Sequence, residues 1–178
     1  MRRVVTGRRD GKAVVVSDTE VEAIGSGLMP GTVFHQIWGS DEPATAPTNG
    51  VMPKHHGYFP PAGGYRFVFF TLGPESVTPA EDIDIGAAIS ELQRKLPGLA
   101  EVMEPDHPGM HTTDTVDLDL VISGEIWLEL DDGKEVHLRA GDCVIQNGTR
   151  HAWHNRTSEP TVMFGALIGA QPRSDRKD

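Results

Sequence analysis

From Thr115 to Gly169 the chain runs through short apolar segments, TVDLDLVIS, EIWLEL, KEVHLRA, CVIQNGTRHAWHN and TVMFGALIG, punctuated by Ser-Gly, Asp-Gly, Ala-Gly-Asp and Asn-Gly turns. Short, evenly spaced strands with glycine turns point to an antiparallel barrel or jelly roll. Upstream, RVVTG and KAVVVSDTEV flank RRDG, and Asp10-Gly11 supplies the positive backbone angles of a tight hairpin turn. TVFHQIWG and YRFVFFTL read as further strands. The stretch from Ser40 to Gly64 is rich in Pro and Gly and has no apolar period, so it reads as an ordered loop draped over the domain or a mobile lid.

One helix stands out. Ile85, Ala88, Ile89, Leu92 and Leu96 recur on one helical face, and Pro97-Gly98 stops the run. The expected organisation is a single structural domain. Residues 1–75 supply strands and a loop that pack on the barrel, 76–104 a helical connection, 105–170 the barrel motifs and 171–178 a flexible tail.

With 178 residues and a formal net charge of −10, the chain can build one sizeable core but offers no basic surface to replace counterions on nucleic acid or an anionic membrane. A small-molecule substrate is the expected partner. The start, MRRVVTGRRDGKAVVV, has only a short apolar run, far below the roughly 20 residues of a membrane span; a cytoplasmic location is expected. The single cysteine, Cys143, rules out an internal disulfide, and its setting in AGDCVIQ reads as a packed thiol on a buried strand.

The segment GMHTTDTVDLDLVISGEI carries unusual polarity for a strand. With period two, His111, Thr113, Thr115, Asp117 and Asp119 share one face, while Val116, Leu118, Leu120 and Ile122 share the other, which reads as a packing face. Periodicity alone lets the polar face look into bulk water or into a wet cavity. Downstream, His151, Trp153 and Asn155 alternate with Ala152 and His154. Two histidines and a carboxylate from neighbouring strands would suit a divalent metal with open coordination positions.

The region from about Gly109 to Gly169 resembles the conserved-barrel domain of the cupin superfamily. The family's first motif has a His, a second His two residues on, then an acidic residue and a Gly. Here His111, Thr113, Asp117 and Gly124 occupy those positions. Its second motif is matched by Gly141, Gly148, His151 and Asn155, with Gln146 standing for a Pro and one residue fewer before it.

The resemblance implies an all-β antiparallel jelly-roll barrel, with an N-terminal strand extension and one or two short helices, whose polar face looks inward. It also implies one divalent ion per chain (Zn, Mn, Ni or Fe) held by His111, Asp117 and His151. Thr113 departs from the family's histidine, so water near Thr113, Asp119 or Gln146 would complete the site. A polar pocket in which His111 and Asp117 simply hydrogen-bond is the alternative. Family barrels commonly pair through N-terminal strands, so a homodimer is expected.

Other residues are candidates for supporting roles. His35 could reach the barrel mouth as ligand or base, and Arg150 or Arg66 could anchor a substrate carboxylate through a bidentate fork. Trp153 and Asn155 share the face of His151 and are expected to line the pocket; Trp38 and Trp127 read as core or wall. His55 and His56 sit in the loop, and His107, His137 and His154 are assigned no chemistry. The resulting expectation is a metal-dependent, non-redox enzyme of the lyase, dehydratase, cyclase, isomerase or decarboxylase kind, acting on a small oxygenated or carboxylate-bearing substrate. An iron(II) dioxygenase and a non-catalytic small-molecule-binding barrel are the alternatives.

Overall fold

The Asp10-Gly11 turn closes as the sequence dictates: both residues have positive φ, 50° and 77°, and join β1 (Arg2–Arg9) to β2 (Lys12–Glu20). In this computed structural model, which describes residues 1–172, the hairpin pairs with no other strand and stands as its own two-stranded sheet. An isolated hairpin is marginal in water. It is held against the body by the Arg3 guanidinium, which donates to the Ile37 carbonyl at 3.0 Å, and by Arg8 N–H, which donates to Thr48 O at 3.0 Å.

The remaining strands form two antiparallel sheets. The larger runs in the order β3 (Ile24–Gly25), β4 (Val33–Ser40), β5 (Tyr65–Leu72), β11 (Thr161–Gly169), β6 (Thr115–Ser123), β9 (Cys143–Asn147). The smaller is β10 (Ala152–His154), β7 (Glu125–Glu129), β8 (Glu135–Arg139). The fold is therefore the all-β antiparallel jelly roll. The strands β4 and β5 are integral to the large sheet rather than a cover laid on a barrel confined to 105–170, because β5 is hydrogen-bonded directly to β11. Val68, Val121, Ile126 and Met163, each at most 1 % exposed, fill the space between the sheets. Among the described residues no helix is long and apolar enough to cross a membrane. Most of the tail expected over 171–178 lies outside the described residues.

Helix α1 spans Ile85–Lys95, with Asp84 as N-cap accepting from Ala87 N–H at 2.9 Å. It buries a narrower stripe than its period suggested. Ala88, Leu92 and Leu96 are inside, whereas Ile85 and Ile89 are exposed. The helix thus rests on the barrel along one edge instead of being clasped by it.

The two faces of β6 reverse the simplest reading of its pattern. Thr115, Asp117, Asp119 and Val121 are buried, while the apolar Val116, Leu118 and Ile122 face outward. Cys143 is likewise exposed, not packed, because it lies beside Leu120 on the same outward side.

The Pro/Gly-rich segment 40–64 is an ordered strap. Gly63 N–H donates to Gly169 O and Gly169 N–H to Gly64 O, both at 2.9 Å, and a Cβ on Gly169 would sit 1.8 Å from the Pro61 carbonyl oxygen. Its latch is Arg66, 2 % exposed. That guanidinium donates to Ser40 O at 2.7 Å, Tyr65 O at 2.9 Å, Gly57 O at 3.0 and 3.1 Å, and the Asp41 carboxylate. All of its donors are committed to the strap and to Tyr65 O at the start of β5, so Arg66 does not anchor a substrate.

Candidate functional site

The strap carries Tyr58 and Phe59 over one end of the barrel, where they close a cavity of about 240 Å³. Tyr58 N–H donates to Pro97 O at 2.7 Å, and its ring meets Phe34 and Phe59 edge-on with centroids 5.6 and 4.9 Å apart. Phe70, Leu99, Met103 and Leu167 complete an apolar wall. The polar residues that break it are His111, His151, Asp117, Asp119 and Asn155, with Thr32 and the half-exposed Glu75. A larger groove of about 730 Å³ lies elsewhere, between the hairpin, the strap and Trp38 and Tyr65; among the described residues that line it there is no histidine or carboxylate.

His111 and His151 are held together by backbone. Each donates its N–H to the other's carbonyl at 2.9 Å, which sets the two imidazoles side by side with centroids 4.2 Å apart. Each ring also commits its Nδ1 to a carbonyl two residues upstream, Gly109 O for His111 and Thr149 O for His151, both at 2.9 Å. That places the proton on Nδ1 and leaves the lone pair on Nε2. Burial lowers the pKa of both, and for His151 burial and the neighbouring His111 together bring it to about 4. The pair is therefore neutral at physiological pH.

Asp117 and Asp119 project from β6 into the same space, each 5 % exposed. Burial pushes Asp117 up to about 6, against the pull of the Thr115 hydroxyl that donates to it at 3.0 Å. Asp119 rises to about 8, through burial and then the charge of Asp117. No Lys or Arg is among the described residues that line the cavity, so no positive charge offsets these desolvation costs. Space for the Asp119 carboxylate comes from Gly165 on β11, where a Cβ would stand 3.1 Å from Oδ1. Thr113 is hydrogen-bonded to Thr115 at 2.8 Å, which makes a chain of hydroxyls ending at Asp117. The other oxygen of Asp117, Oδ1, and the amide nitrogen of its cross-strand neighbour Gln146 are buried without a hydrogen-bond partner among the described residues.

The structure thus gathers part of the expected site. Asp119, Trp153 and Asn155 line the cavity with the histidine pair and Asp117. Thr113 and Gln146 lie behind Asp117, buried but off the cavity wall. Asn155 has its polar atoms in use: Nδ2 donates to Leu72 O and Glu159 O, and Oδ1 accepts from Thr157, so its role is to pin strand ends. His35 is not at the mouth. It pairs in register with Phe69 on the outer face of the sheet, opposite the buried Val68 and Phe70. Arg150 is outside as well, bound through two nitrogens to Glu104 at 2.7 Å and to Asp131 at 3.0 Å.

The expected ligand trio is also incomplete. Among the described residues no three His, Cys, Asp or Glu side chains come close enough together to hold one metal ion. The two imidazoles fit such an ion; Asp117, drawn toward Thr115, does not join them, so a site with three protein ligands does not fit this arrangement.

Sequence reasoning missed Tyr58. Its phenol is held protonated by burial and by the charges of Asp119 and Asp117, which places the ring in the same electrostatic field as the carboxyls. The segment around it, HHGYFPP, has no period, and only the aromatic pair in a polar loop marked it.

Comparison with known proteins places the chain. Residues 100–167 match the family described as Cupin domain. Oryzines biosynthesis cluster protein J of Aspergillus oryzae is 36% identical over 112 residues, 57% of this chain and 63% of that protein. The cupin-domain-containing oxidoreductase virC of Hypocrea virens is 36% identical over 66 residues, 35% of this chain and 34% of that protein. In both cases the match spans less than two thirds of the relative's length. Among solved structures, a Cupin 2 conserved barrel domain protein from Salinispora arenicola has 14% identity, a TM-score of 0.42, and coverage of 85% of this chain and 90% of its own.

Proposed function

The chain belongs to the cupin superfamily, and on that premise we propose that it is a non-redox enzyme that moves protons on a small, neutral, oxygenated molecule inside its barrel. The observation that carries this reading is the pair of buried carboxyls, Asp117 and Asp119, in a cavity without a cation. Two titratable groups whose surroundings hold their pKa values apart make an acid and a base at one pH. Near neutrality Asp119 keeps its proton while Asp117 has lost its own. Asp117 removes a proton from carbon next to a carbonyl; Asp119 delivers one to the oxygen, or to a departing hydroxyl. Returning the proton to a different carbon completes an isomerisation, and loss of the hydroxyl as water completes a dehydration. Neither needs an oxidant.

The cavity also limits the substrate. At about 240 Å³ it is smaller than the roughly 300–1,000 Å³ of drug-sized sites. A carboxylate substrate would meet Asp117 with no guanidinium to balance it, since Arg66 and Arg150 are both held elsewhere. A neutral ketone or hydroxyketone with an apolar body suits the walls, with its oxygen toward the Tyr58 phenol and any hydroxyl toward a histidine Nε2.

The test is hydrogen exchange in heavy water. A panel of neutral enolisable ketones and β-hydroxyketones is incubated with the protein, and loss of the α-proton signal is followed by NMR. The wild type is expected to speed exchange of at least one member, and Asp117→Asn to slow it by about 10²–10⁴-fold, the usual contribution of a general base. Exchange that proceeds equally in wild type, Asp117→Asn and Asp119→Asn would remove the carboxyls from the chemistry.

A second reading rests on the free Nε2 atoms of His111 and His151. Bound there, a divalent ion would supply Lewis acidity or, as iron, dioxygen chemistry, and the name of the Hypocrea virens relative supports the oxidising form. Elemental analysis of wild type and His151→Ala separates the cases. Stoichiometric zinc, manganese or nickel lost in the variant favours Lewis-acid catalysis, iron favours oxidation, and equal content in both proteins removes the histidine pair as the holder.

A further inference from the structure

Behind the Phe59 ring lies a second hollow, of about 400 Å³, that the proton chemistry does not use. Its apolar walls come from the strap at Pro60, Pro61 and Ala62, and from Val102 and Ala170. Thr113 and Thr115, whose hydroxyls form a chain ending on Asp117, line its side toward the cavity. It opens to solvent at Pro61, Ala62 and Asp114, all exposed. No Lys, Arg or His is among the described residues that line it.

The wall between the two spaces is one residue thick. Met103 lines the cavity and Val102 the second hollow; His111 lines the cavity and Thr112 the second hollow. At Phe59 this division fails, because among the described residues it alone lines both. Its ring is packed from the cavity side, edge-on to Tyr58 at 4.9 Å and tilted against His111 at 6.4 Å. Tyr58 is buried, but Phe59 is only half-buried. The strap is fastened on either side of it, Tyr58 N–H to Pro97 O at 2.7 Å and Gly63 N–H to Gly169 O at 2.9 Å. The ring can therefore pass to another staggered rotamer while the backbone that carries it stays in place.

We infer that the two spaces are one binding site with the Phe59 ring as a swinging partition, and that its ligand is a neutral ketone bearing an unbranched alkyl tail. The carbonyl end lies in the cavity beside Asp117 and Asp119, and the tail passes Phe59 to lie among Pro60, Val102 and Ala170. This rests on the reading of the cavity as a site for neutral ketones, and it adds the shape of the rest of the molecule. The volumes require both spaces. Alone, the cavity's 240 Å³ falls short of the roughly 300 Å³ at which small-molecule sites begin; with the second hollow's 400 Å³ the site lies inside their range. The lining selects the tail. An anionic tail would meet Asp114 at the rim and no cation. An ammonium group would give up its water among proline, alanine and valine side chains, a cost that an alkyl chain does not carry.

Calorimetric titration of the full chain with methyl ketones from butanone to nonanone tests this. In the wild type each added methylene is expected to tighten binding about fourfold through the longest member, the usual gain from burying one such group. Ala62→Trp, which fills the second hollow from its exposed rim, is expected to bind the shortest ketones like the wild type and to level off partway along the series. Val102→Trp, which fills it from another wall, is read in its place if that variant does not fold. Phe59→Ala, which removes the partition, is expected to keep the rise. A wild type that levels off where the tryptophan variant does, or a tryptophan variant that rises like the wild type, overturns the inference. A wild type that levels off while Phe59→Ala continues also overturns it, because the ring is then a fixed end wall. Failure of every ketone to bind does the same. The proton chemistry is judged separately: chain-length-dependent binding without α-proton exchange keeps the two-part site and removes the reaction, and exchange without chain-length dependence does the reverse.

Discussion

Replacing Asp119 by Asn should make the protein lose less stability as pH rises. In the native barrel Asp119 titrates at about 8; an unfolded aspartate titrates near the model-compound value of 3.8. Below that lower value both states are protonated and the native carboxyl costs nothing. Between the two values the unfolded chain releases a proton that the native state keeps, so the relative stability is lost progressively as pH rises toward 8. The slope for one such group is about 1.4 kcal/mol per pH unit. Asparagine does not titrate. From pH 5 to pH 7 the wild type should therefore lose about 3 kcal/mol more than Asp119→Asn. The amide has its own cost, about 1–3 kcal/mol if its N–H groups find no acceptor, but this is the same at both pH values and cancels in the comparison. Asp117 titrates in both proteins and also cancels. Urea unfolding followed by tryptophan fluorescence at the two pH values gives the four free energies. Parallel behaviour of wild type and variant would refute the reasoning, because it would mean that Asp119 is ionised in the folded state at pH 5 or is solvated there.

Two further outcomes follow from the guanidinium groups. Arg66→Leu removes the cation from a buried cluster and leaves the Ser40, Tyr65 and Gly57 carbonyls and Asp41 facing an apolar side chain, which should cost about 3–5 kcal/mol by urea midpoint and expose the 40–64 segment to limited proteolysis. Arg150→Gln, by contrast, should change the affinity of any cavity ligand less than about twofold, since that side chain is tied to Glu104 and Asp131 outside; a tenfold loss in a titration would place the guanidinium at the mouth.

The alternation of β6 was legible in the sequence because strand geometry leaves no freedom: once residues 115–123 are extended, Thr115, Asp117 and Asp119 must share a side. Which side faces inward was not legible from the pattern. Both faces of this strand are unusual, the inner one polar and the outer one apolar, and hydrophobicity ranks them in the wrong order. The same inversion misplaced Cys143, whose neighbours Val144 and Ile145 suggested an interior. Only the motif positions of His111, Asp117 and Gly124 pointed the right way. The role of Arg66 was hidden for a different reason. Most of its acceptors are backbone carbonyls, one of them at Ser40, 26 residues away, and carbonyls leave no mark in a sequence. His35 and Arg150 failed as candidates because their positions depend on strand register and on one acidic partner 46 residues upstream, Glu104. Tyr58 was invisible because a strap without regular structure offers no periodicity from which to infer where a side chain points.

The strap divides the labour of the barrel in a way that bears on how such a protein can change. The groups suited to proton movement sit on the sheets, fixed by ladder hydrogen bonds, whereas aromatic side chains that shape the cavity hang from a segment fastened by backbone hydrogen bonds and by an arginine lying outside it. Gly57, whose carbonyl accepts twice from Arg66, immediately precedes Tyr58. Residues 58 and 59 can therefore be exchanged without touching either the fastening or the ladder. A lineage could retune which molecule fits by altering two adjacent codons, keeping fold and chemistry intact, and a protein engineer could do the same with a library confined to those two positions.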